Sequence, residues 1–198
     1  MIVAGLTGSI GMGKSTVGAM FRDLGAAVLD SDSVVHQLYG RDGRAVRPVS
    51  KLFPGVIVDE AVDRTRLSSA VVGKPEAMKQ LEAVVHPLVK EEQSRFIDKA
   101  RSDGKALVIL DIPLLFETGA ENRFDLIIVV STSAARQRER VLARPGMTEE
   151  KFDKLLKHQI PDAEKREKAD IVIDTSGDLS LTRQRISEVF QHLTGESS

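Results

Sequence analysis

The sequence predicts an α/β fold, a largely parallel sheet flanked by helices, and three observations carry that expectation. Short apolar runs rich in Val, Ile and Leu alternate with helical patterns along the chain. Most runs lack the polar–apolar alternation of a half-exposed strand, as expected of strands covered by helices on both faces. The first run leads directly into Gly8-Ser9-Ile10-Gly11-Met12-Gly13-Lys14-Ser15, which fits G-x-x-x-x-G-K-[ST] at every fixed position. Strand, glycine loop and helix in that order make this a sheet of the P-loop NTPase type.

Ile2–Leu6 reads as the first buried strand. After the glycine loop, Val17, Met20, Phe21 and Leu24 fall at i, i+3, i+4 and i+7, one helical face that Gly25 closes. Backbone N–H groups of such a loop and the positive end of its helix cradle phosphates. Lys14 can reach the β- and γ-phosphates, and the Ser15 hydroxyl can ligate Mg²⁺. The chain is therefore expected to bind a nucleoside triphosphate.

The next strands are Ala26–Leu29, Ala106–Leu110, Leu126–Val130 and Ile171–Ile173. Ligands of such sheets sit beyond the carboxyl ends of the strands. The residues to inspect are thus Asp30-Ser31-Asp32, Asp111-Ile112-Pro113, Ser131-Thr132 and Asp174-Thr175-Ser176-Gly177. Two stretches interrupt the alternation. Residues 33–100 read as helices without a buried strand, with turns at Gly40, Gly43, Pro54-Gly55 and Gly73. One of these helices starts at Pro75 with Met78, Leu81, Val85 and Leu88 on its apolar side, and Pro87 should kink or break it. Residues 134–168 read as charged helices broken at Pro145-Gly146 and Pro161. The last helix carries Ile186, Val189, Phe190 and Leu193, and the tail after Gly195 should fray.

This is one domain over 1–198, with a core of 1–32, 101–133 and 169–198. A helical insertion at 33–100 would bind the phosphate acceptor, and a helical lid at 134–168 would close over ATP. Closure keeps water from the γ-phosphoryl group, so the organisation suggests a small-molecule kinase.

Composition narrows the partners. Hydrophobic content of 41% and charged content of 29% are those of a soluble globular chain. A net charge of −1 and 4% aromatics give nucleic acid neither an electrostatic footprint nor a stacking platform. No apolar run is long enough to span a bilayer, and the first strand begins at residue 2, so neither membrane span nor cleaved leader is expected. Zero cysteines fit a reducing cytoplasm and remove thiolate chemistry.

Several side chains admit two readings. Asp30 and Asp32 could orient an acceptor hydroxyl and take its proton, or D-S-D could cap the helix that follows. Asp111 follows Val108-Ile109-Leu110 in the manner of a Walker B acid that holds Mg²⁺ or its water. Leu114, Leu115 and Phe116 make an unusually apolar exit from the sheet, and core packing is the plain alternative. Arg136, Arg140 and Arg144, spaced by four, share a helix face that either meets a triphosphate or is simply solvated. His86 could be a base, a phosphate donor or a packed core histidine.

Together these pieces resemble the dephospho-CoA kinase family, which phosphorylates the ribose 3′-hydroxyl of dephospho-CoA in the last step of coenzyme A synthesis. The resemblance rests on Gly5–Thr16, Asp30-Ser31-Asp32, Asp63-Arg64 with Leu67, and His86-Pro87-Leu88. It continues through Pro113-Leu114-Leu115-Phe116-Glu117, Gln137 with Arg140 and Arg144, Gln159, and Ala169-Asp170 leading to Asp174. It implies that Gly11, Met12, Gly13, Lys14, Ser15 and Thr16 hold the phosphates of ATP. It implies Asp32 as the base, with Asp30 supporting it or the Mg²⁺ water. His86, Leu114, Leu115 and Phe116 would help line the dephospho-CoA pocket, and Arg140 and Arg144 would be the lid arginines. Three departures stand out. Gly8-Ser9-Ile10-Gly11 replaces the usual Gly-Gly-Ile-Gly, and Asp30-Ser31-Asp32 the usual Asp-Ala-Asp. Asp174-Thr175-Ser176-Gly177 replaces the frequent Asp-Asn-Ser-Gly, so a contact through that Asn does not carry over.

The nearest alternative is a P-loop kinase for another small alcohol or a nucleoside monophosphate. A GTPase switch would need Asn-Lys-x-Asp and a transporter ATPase Leu-Ser-Gly-Gly, and neither occurs.

Overall fold

A computed structural model describes residues 1–195, so the tail expected to fray beyond Gly195 lies outside the described residues. In chain order the strands are β1 (Ile2–Thr7), β2 (Ala27–Asp30), β3 (Ile57–Val58), β4 (Ala61–Val62), β5 (Leu107–Asp111), β6 (Leu126–Ser131) and β7 (Ile171–Asp174). The helices are α1 (Lys14–Asp23), α2 (Ser31–Tyr39), α3 (Val46–Leu52), α4 (Arg64–Val71), α5 (Pro75–Ser102), α6 (Ala134–Leu142), α7 (Glu149–Lys157), α8 (Asp162–Glu167) and α9 (Leu179–Thr194).

The central sheet has five strands in the order β2-β5-β1-β6-β7 and is the parallel α/β sheet expected. All five expected strands are present, and each ends one residue later than its apolar run. The ladder is made by backbone groups and does not stop where the side chain turns polar. Leu6 pairs with Asp111, and Ser131 with Asp174. Thr7, Asp30, Asp111, Ser131 and Asp174 are therefore last residues of strands, held by the ladder, rather than first residues of loops.

The chain forms two compact units, Leu29–Asp98 and the remainder, Met1–Val28 with Lys99 onward. In the larger unit the sheet separates two clusters. Ala4 and Leu6 of β1, Leu107 and Ile109 of β5, Ile128 and Val130 of β6 and Ile173 of β7 pack with α1 and α9. Ile186, Val189 and Phe190 of α9 are buried there and Leu193 packs against them, as their spacing predicts. The other cluster joins Ile127 and Val129 to Leu115 and Phe116, with Phe124 beside them. A Cβ on Gly5 would lie 2.6 Å from Leu115 Cδ1 and 3.0 Å from Phe124 Cδ2, so bare backbone lets both side chains lie on β1.

In α1, Val17, Met20 and Phe21 are buried, but Leu24 is 38% exposed. The helix ends at Asp23, and Leu24 belongs to the cap rather than to the apolar face. Gly25 closes it at φ 105°, as expected.

The smaller unit is built from α2, α3, α4 and most of α5 around Val34, Leu38, Val49, Phe53, Leu67, Val71, Leu81 and Val85. The glycine turns fall between elements as expected. Two features differ from expectation. The first is an antiparallel hairpin, β3–β4, whose turn places Asp59 and Glu60 at φ 47° and 64°. Turns of this kind are signalled by Asn-Gly or Asp-Gly, and Asp-Glu sends no such signal. The second is α5, which runs on past Pro87 as one helix, so the break that was one of the two expected outcomes does not occur. One missing N–H is a local loss in a 28-residue helix anchored by buried Leu81 and Val85. No helix among the described residues is long and apolar enough to cross a membrane.

Candidate active site

The glycine loop leaves β1 in a conformation that only glycine adopts easily. Gly8, Gly11 and Gly13 have φ of 152°, 81° and 98°. Space excludes other residues as well. A Cβ on Gly8 would meet Val130 O at 2.4 Å, and one on Gly11 would meet Val141 Cγ2 at 2.5 Å. α1 then begins at Lys14 with Gly13 as its N-cap, no side-chain cap and no acidic residue in its first turn. The positive end of the helix is thus left for an anion, and the loop fits a polyphosphate. Lys14 is half-buried, while Ser15 and Thr16 are exposed.

The neighbouring elements hold this loop firmly. Gln159 Oε1 accepts from Ile10 N–H (3.1 Å) and Gln137 Nε2 donates to Ile10 O (2.8 Å). Thr175 Oγ1 donates to Met12 O at 2.7 Å, and Thr132 N–H lies 3.2 Å from Met12 Sδ. Ser133 N–H donates to Ser176 Oγ, so the ends of β6 and β7 are tied to each other beside the loop. The hydroxyl of Ser176, and then its N–H, hold the Asp174 carboxyl below its ordinary range.

Arg140 sits on the same edge. Its Nη1 and Nη2 donate to Thr175 Oγ1 (3.0 Å) and Thr175 O (2.8 Å), and Nη1 is 3.5 Å from Gly11 O. A Cβ on Gly13 would lie 3.6 Å from the same nitrogen, so the guanidinium borders the start of α1. The shared face expected for three arginines stops there. α6 ends at Leu142, and Arg144 lies beyond it, exposed, because a residue before proline is disfavoured in helical conformation. Arg136 is exposed at the other end of α6.

Asp111 closes β5 opposite Leu6 and is 9% exposed. A carboxylate and a serine hydroxyl are hard oxygen donors suited to Mg²⁺. No group of three or more His, Asp or Glu side chains converges among the described residues.

The chain after Asp111 is apolar and locked. Leu115 is 0% and Phe116 5% exposed, in the core under the sheet, whereas Leu114 is 41% exposed. Burial argues against a direct ligand contact from Leu115 or Phe116 and leaves Leu114 as the residue of the three with free surface. Thr7 Oγ1 donates to Pro113 O at 3.2 Å. At the far end, Glu117 Oε1 accepts from Ile160 N–H (2.9 Å) and pairs with Lys165 Nζ (2.8 Å), a lysine with no exposed side-chain surface. Burial alone would raise the Glu117 carboxyl, but the Lys165 ammonium and the Ile160 N–H outweigh it and lower it. Asp162 Oδ2, on the same short helix, accepts from Ser131 Oγ at 2.6 Å.

In the smaller unit, Asp30 and Asp32 have different surroundings. Asp30 is the N-cap of α2, with Oδ1 accepting from Asp32 N–H (2.9 Å) and Oδ2 from Ser33 Oγ (2.7 Å). Its carboxylate therefore does the capping work that was one of its two readings. Asp32 is exposed in the first turn and uses its backbone, not its carboxylate, in this arrangement. Gln93 Nε2 donates to the buried Ser31 between them at 3.0 Å. His86 is exposed on α5, which sets aside the packed-core reading.

Sequence reasoning missed Lys165, Asp162 and the role of Thr175. Lys165 stands in Glu164-Lys165-Arg166-Glu167-Lys168, where nothing separates the buried cation from its solvated neighbours.

Comparison with known proteins bears on this arrangement. The family model described as dephospho-CoA kinase (CoaE) matches residues 1–180. The dephospho-CoA kinase of Brucella melitensis is 53% identical over 99% of this chain and 97% of its own length. That of Rhizobium meliloti is 53% identical over 98% of both chains. Among solved structures, TT1252 from Thermus thermophilus superposes with a TM-score of 0.85 at 36% identity, covering 98% of each chain.

Proposed function

The chain belongs to the dephospho-CoA kinase family, and from that premise we propose how its residues divide the reaction. The reaction is ATP-dependent phosphorylation of the ribose 3′-hydroxyl of dephospho-CoA, giving coenzyme A in the last step of its synthesis. The observation that carries the ATP-binding half of this reading is the glycine loop, a tied, left-handed backbone leading into an uncapped helix start. Gly11, Met12, Gly13, Lys14, Ser15 and Thr16 hold the phosphates of ATP. Ser15 and Asp111, the latter directly or through water, would hold Mg²⁺, which would neutralise charge on the phosphates.

Asp32 takes the proton of the 3′-hydroxyl as that oxygen bonds to the γ-phosphorus. The bond from the γ-phosphorus to its bridging oxygen breaks, and ADP leaves with the electron pair. Asp30 supports Asp32 indirectly, by fixing the first turn of α2. Lys14 and Arg140 meet charge on the transferring group, and Arg144 adds a contact from beyond the end of α6. Leu114 and His86 offer exposed surface to the acceptor, with Leu115 and Phe116 holding Leu114 from below. Composition supports a cytoplasmic enzyme without a nucleic-acid partner.

A coupled ADP-release assay with dephospho-CoA, adenosine, AMP and pantetheine as rival acceptors tests the substrate. Dephospho-CoA should be preferred, and preference for another acceptor would overturn the reading in favour of a different small-molecule kinase. The same assay separates the two aspartates. Asp32→Asn should lower kcat by about 10²–10⁴-fold while leaving KM for ATP near the parent value. Asp30→Asn should do far less, because asparagine caps a helix about as well as aspartate. A larger loss for Asp30→Asn would exchange their roles.

A further inference from the structure

The glycines that let the P-loop adopt its shape also make that shape easy to leave. A peptide unit rotates through ψ of one residue and φ of the next, and glycine accepts either sign of φ. The Ile10–Gly11 and Met12–Gly13 peptides both run into glycine, and both must keep their carbonyl oxygens away from a bound polyphosphate. Each of these carbonyls accepts a hydrogen bond from a buried side chain outside the loop. Gln137 Nε2 donates to Ile10 O at 2.8 Å, and Thr175 Oγ1 donates to Met12 O at 2.7 Å. Gln137 and Thr175 are 7% and 6% exposed.

We propose that Gln137 and Thr175 are positioning residues for nucleotide binding, which hold two P-loop carbonyls outward so that the Gly11 and Gly13 N–H groups face the phosphates. In a trans peptide the N–H points opposite to the C=O, so fixing one oxygen aims the following N–H. The inference rests on the reading that this loop holds ATP.

The two donors come from different elements. Gln137 is on α6, whose Val141 also lies against Gly11. Thr175 directly follows β7, and its N–H is bonded to Ser131 O at 2.9 Å, which fixes its backbone to β6. A threonine hydroxyl has one hydrogen to give. Arg140 Nη1 donates to Thr175 Oγ1 at 3.0 Å and so occupies its acceptor side. The hydroxyl hydrogen goes to Met12 O at 2.7 Å rather than to the more distant Ser131 O at 3.3 Å. The guanidinium thus polarises the hydroxyl that restrains the loop, and a chain of two hydrogen bonds joins Arg140 to the Met12 carbonyl. Arg140 Nη1 is 3.5 Å from Gly11 O, too long to carry the argument for the intervening peptide. Met12 N–H is used within the loop, on Ser9 O, and is not among the aimed groups.

Calorimetric binding of ADP to the parent, Thr175→Val, Thr175→Ser and Gln137→Leu, with steady-state kinetics on each, tests the proposal. One lost hydrogen bond of this kind corresponds to about tenfold, so Thr175→Val and Gln137→Leu should each weaken ADP about tenfold. KM for ATP should rise in step, with kcat at saturating ATP within about threefold of the parent. Thr175→Ser keeps the hydroxyl and should bind ADP within about threefold of the parent. Parent-like affinity in Thr175→Val or Gln137→Leu would overturn the proposal. So would a Thr175→Ser variant as weak as Thr175→Val, which would assign the effect to the lost methyl group, or a loss confined to kcat. Should Thr175→Val fail to fold, Gln137→Leu and Thr175→Ser decide by the same criteria. A parent that binds no ADP would fail the kinase reading itself, which the first titration reveals.

Discussion

Two stretches leave neighbouring parallel strands at the same edge of the sheet, residues 8–13 after β1 and 112–117 after β5, and they are ordered by opposite means. The first has one anchoring side chain, Met12, buried in the core, and the rest of its order comes from Gln137, Gln159 and Thr175 reaching in from other elements. The second holds itself, with Leu115 and Phe116 in the core and Glu117 locked to Lys165. The difference follows from what each presents. A loop that binds through its backbone must leave uncommitted the N–H groups it offers to the phosphates, so most of the restraint has to come from outside. A loop that presents a side chain can use its other side chains as anchors.

This contrast predicts that damage in the first stretch appears as lost activity and damage in the second as lost stability. The largest effect is expected from Lys14→Ala, which should lower kcat by about 10²-fold or more. Unfolding in denaturant should meanwhile shift by less than about 0.5 kcal/mol, because the side chain is half-exposed and anchors nothing in the core. Activity within tenfold of the parent would remove Lys14 from the chemistry.

Lys165→Met comes next and should act on folding. It strands a carboxylate in a buried site, which typically costs about 3–5 kcal/mol, and the double variant Glu117→Gln with Lys165→Met should regain part of that. Acid sharpens the assignment. The Glu117 carboxyl is lower in the folded than in the unfolded chain, so its stabilisation is present above the unfolded value and is lost as pH falls through the folded one. Between about pH 6 and pH 3 the parent should therefore lose stability more steeply than Glu117→Gln, as denaturation at several pH values would show. Parallel curves would mean that the pair does not hold the loop.

The smallest effect is expected at the tip of the second stretch. Leu114→Ala should leave stability within about 0.5 kcal/mol and raise KM for dephospho-CoA by about threefold to tenfold, with KM for ATP unchanged. Leu115→Ala, one residue on, should cost about 2–5 kcal/mol of stability. If both variants behave alike, the division between exposed tip and buried anchor is wrong.

What could be read from the sequence was whatever repeats along the chain or stands at fixed spacing. The strands, the helix starting at Pro75 and the face of α9 are periodic, and the glycine loop is a spacing motif. What could not be read depends on groups distant in sequence. The polar residue closing each strand looks like a loop residue until its partner strand is known, as Leu6 is for Asp111. Asp30 and Asp32 are equivalent as letters, and only the hydrogen bonds show that one carboxylate is consumed in capping. Arg144 kept the spacing of a shared face, but Pro145 ended the helix that would have supplied it. Thr175 looked like the loss of an asparagine, and its hydroxyl is instead the donor to Met12 O, 163 positions away.

Gly5 carries a consequence for how this sequence can drift. The space its missing side chain leaves over β1 is filled by Leu115 and Phe124. A methyl group at position 5 would claim volume already held by a leucine that is wholly buried. Substitutions at 5 and 115 are therefore not independent. Alanine at 5 should force the end of Leu115 to shift, and shortening Leu115 should relieve that strain. Among descendants of this chain the two positions should change in compensating pairs, with total volume preserved, although they are 110 positions apart and neither touches a reacting atom.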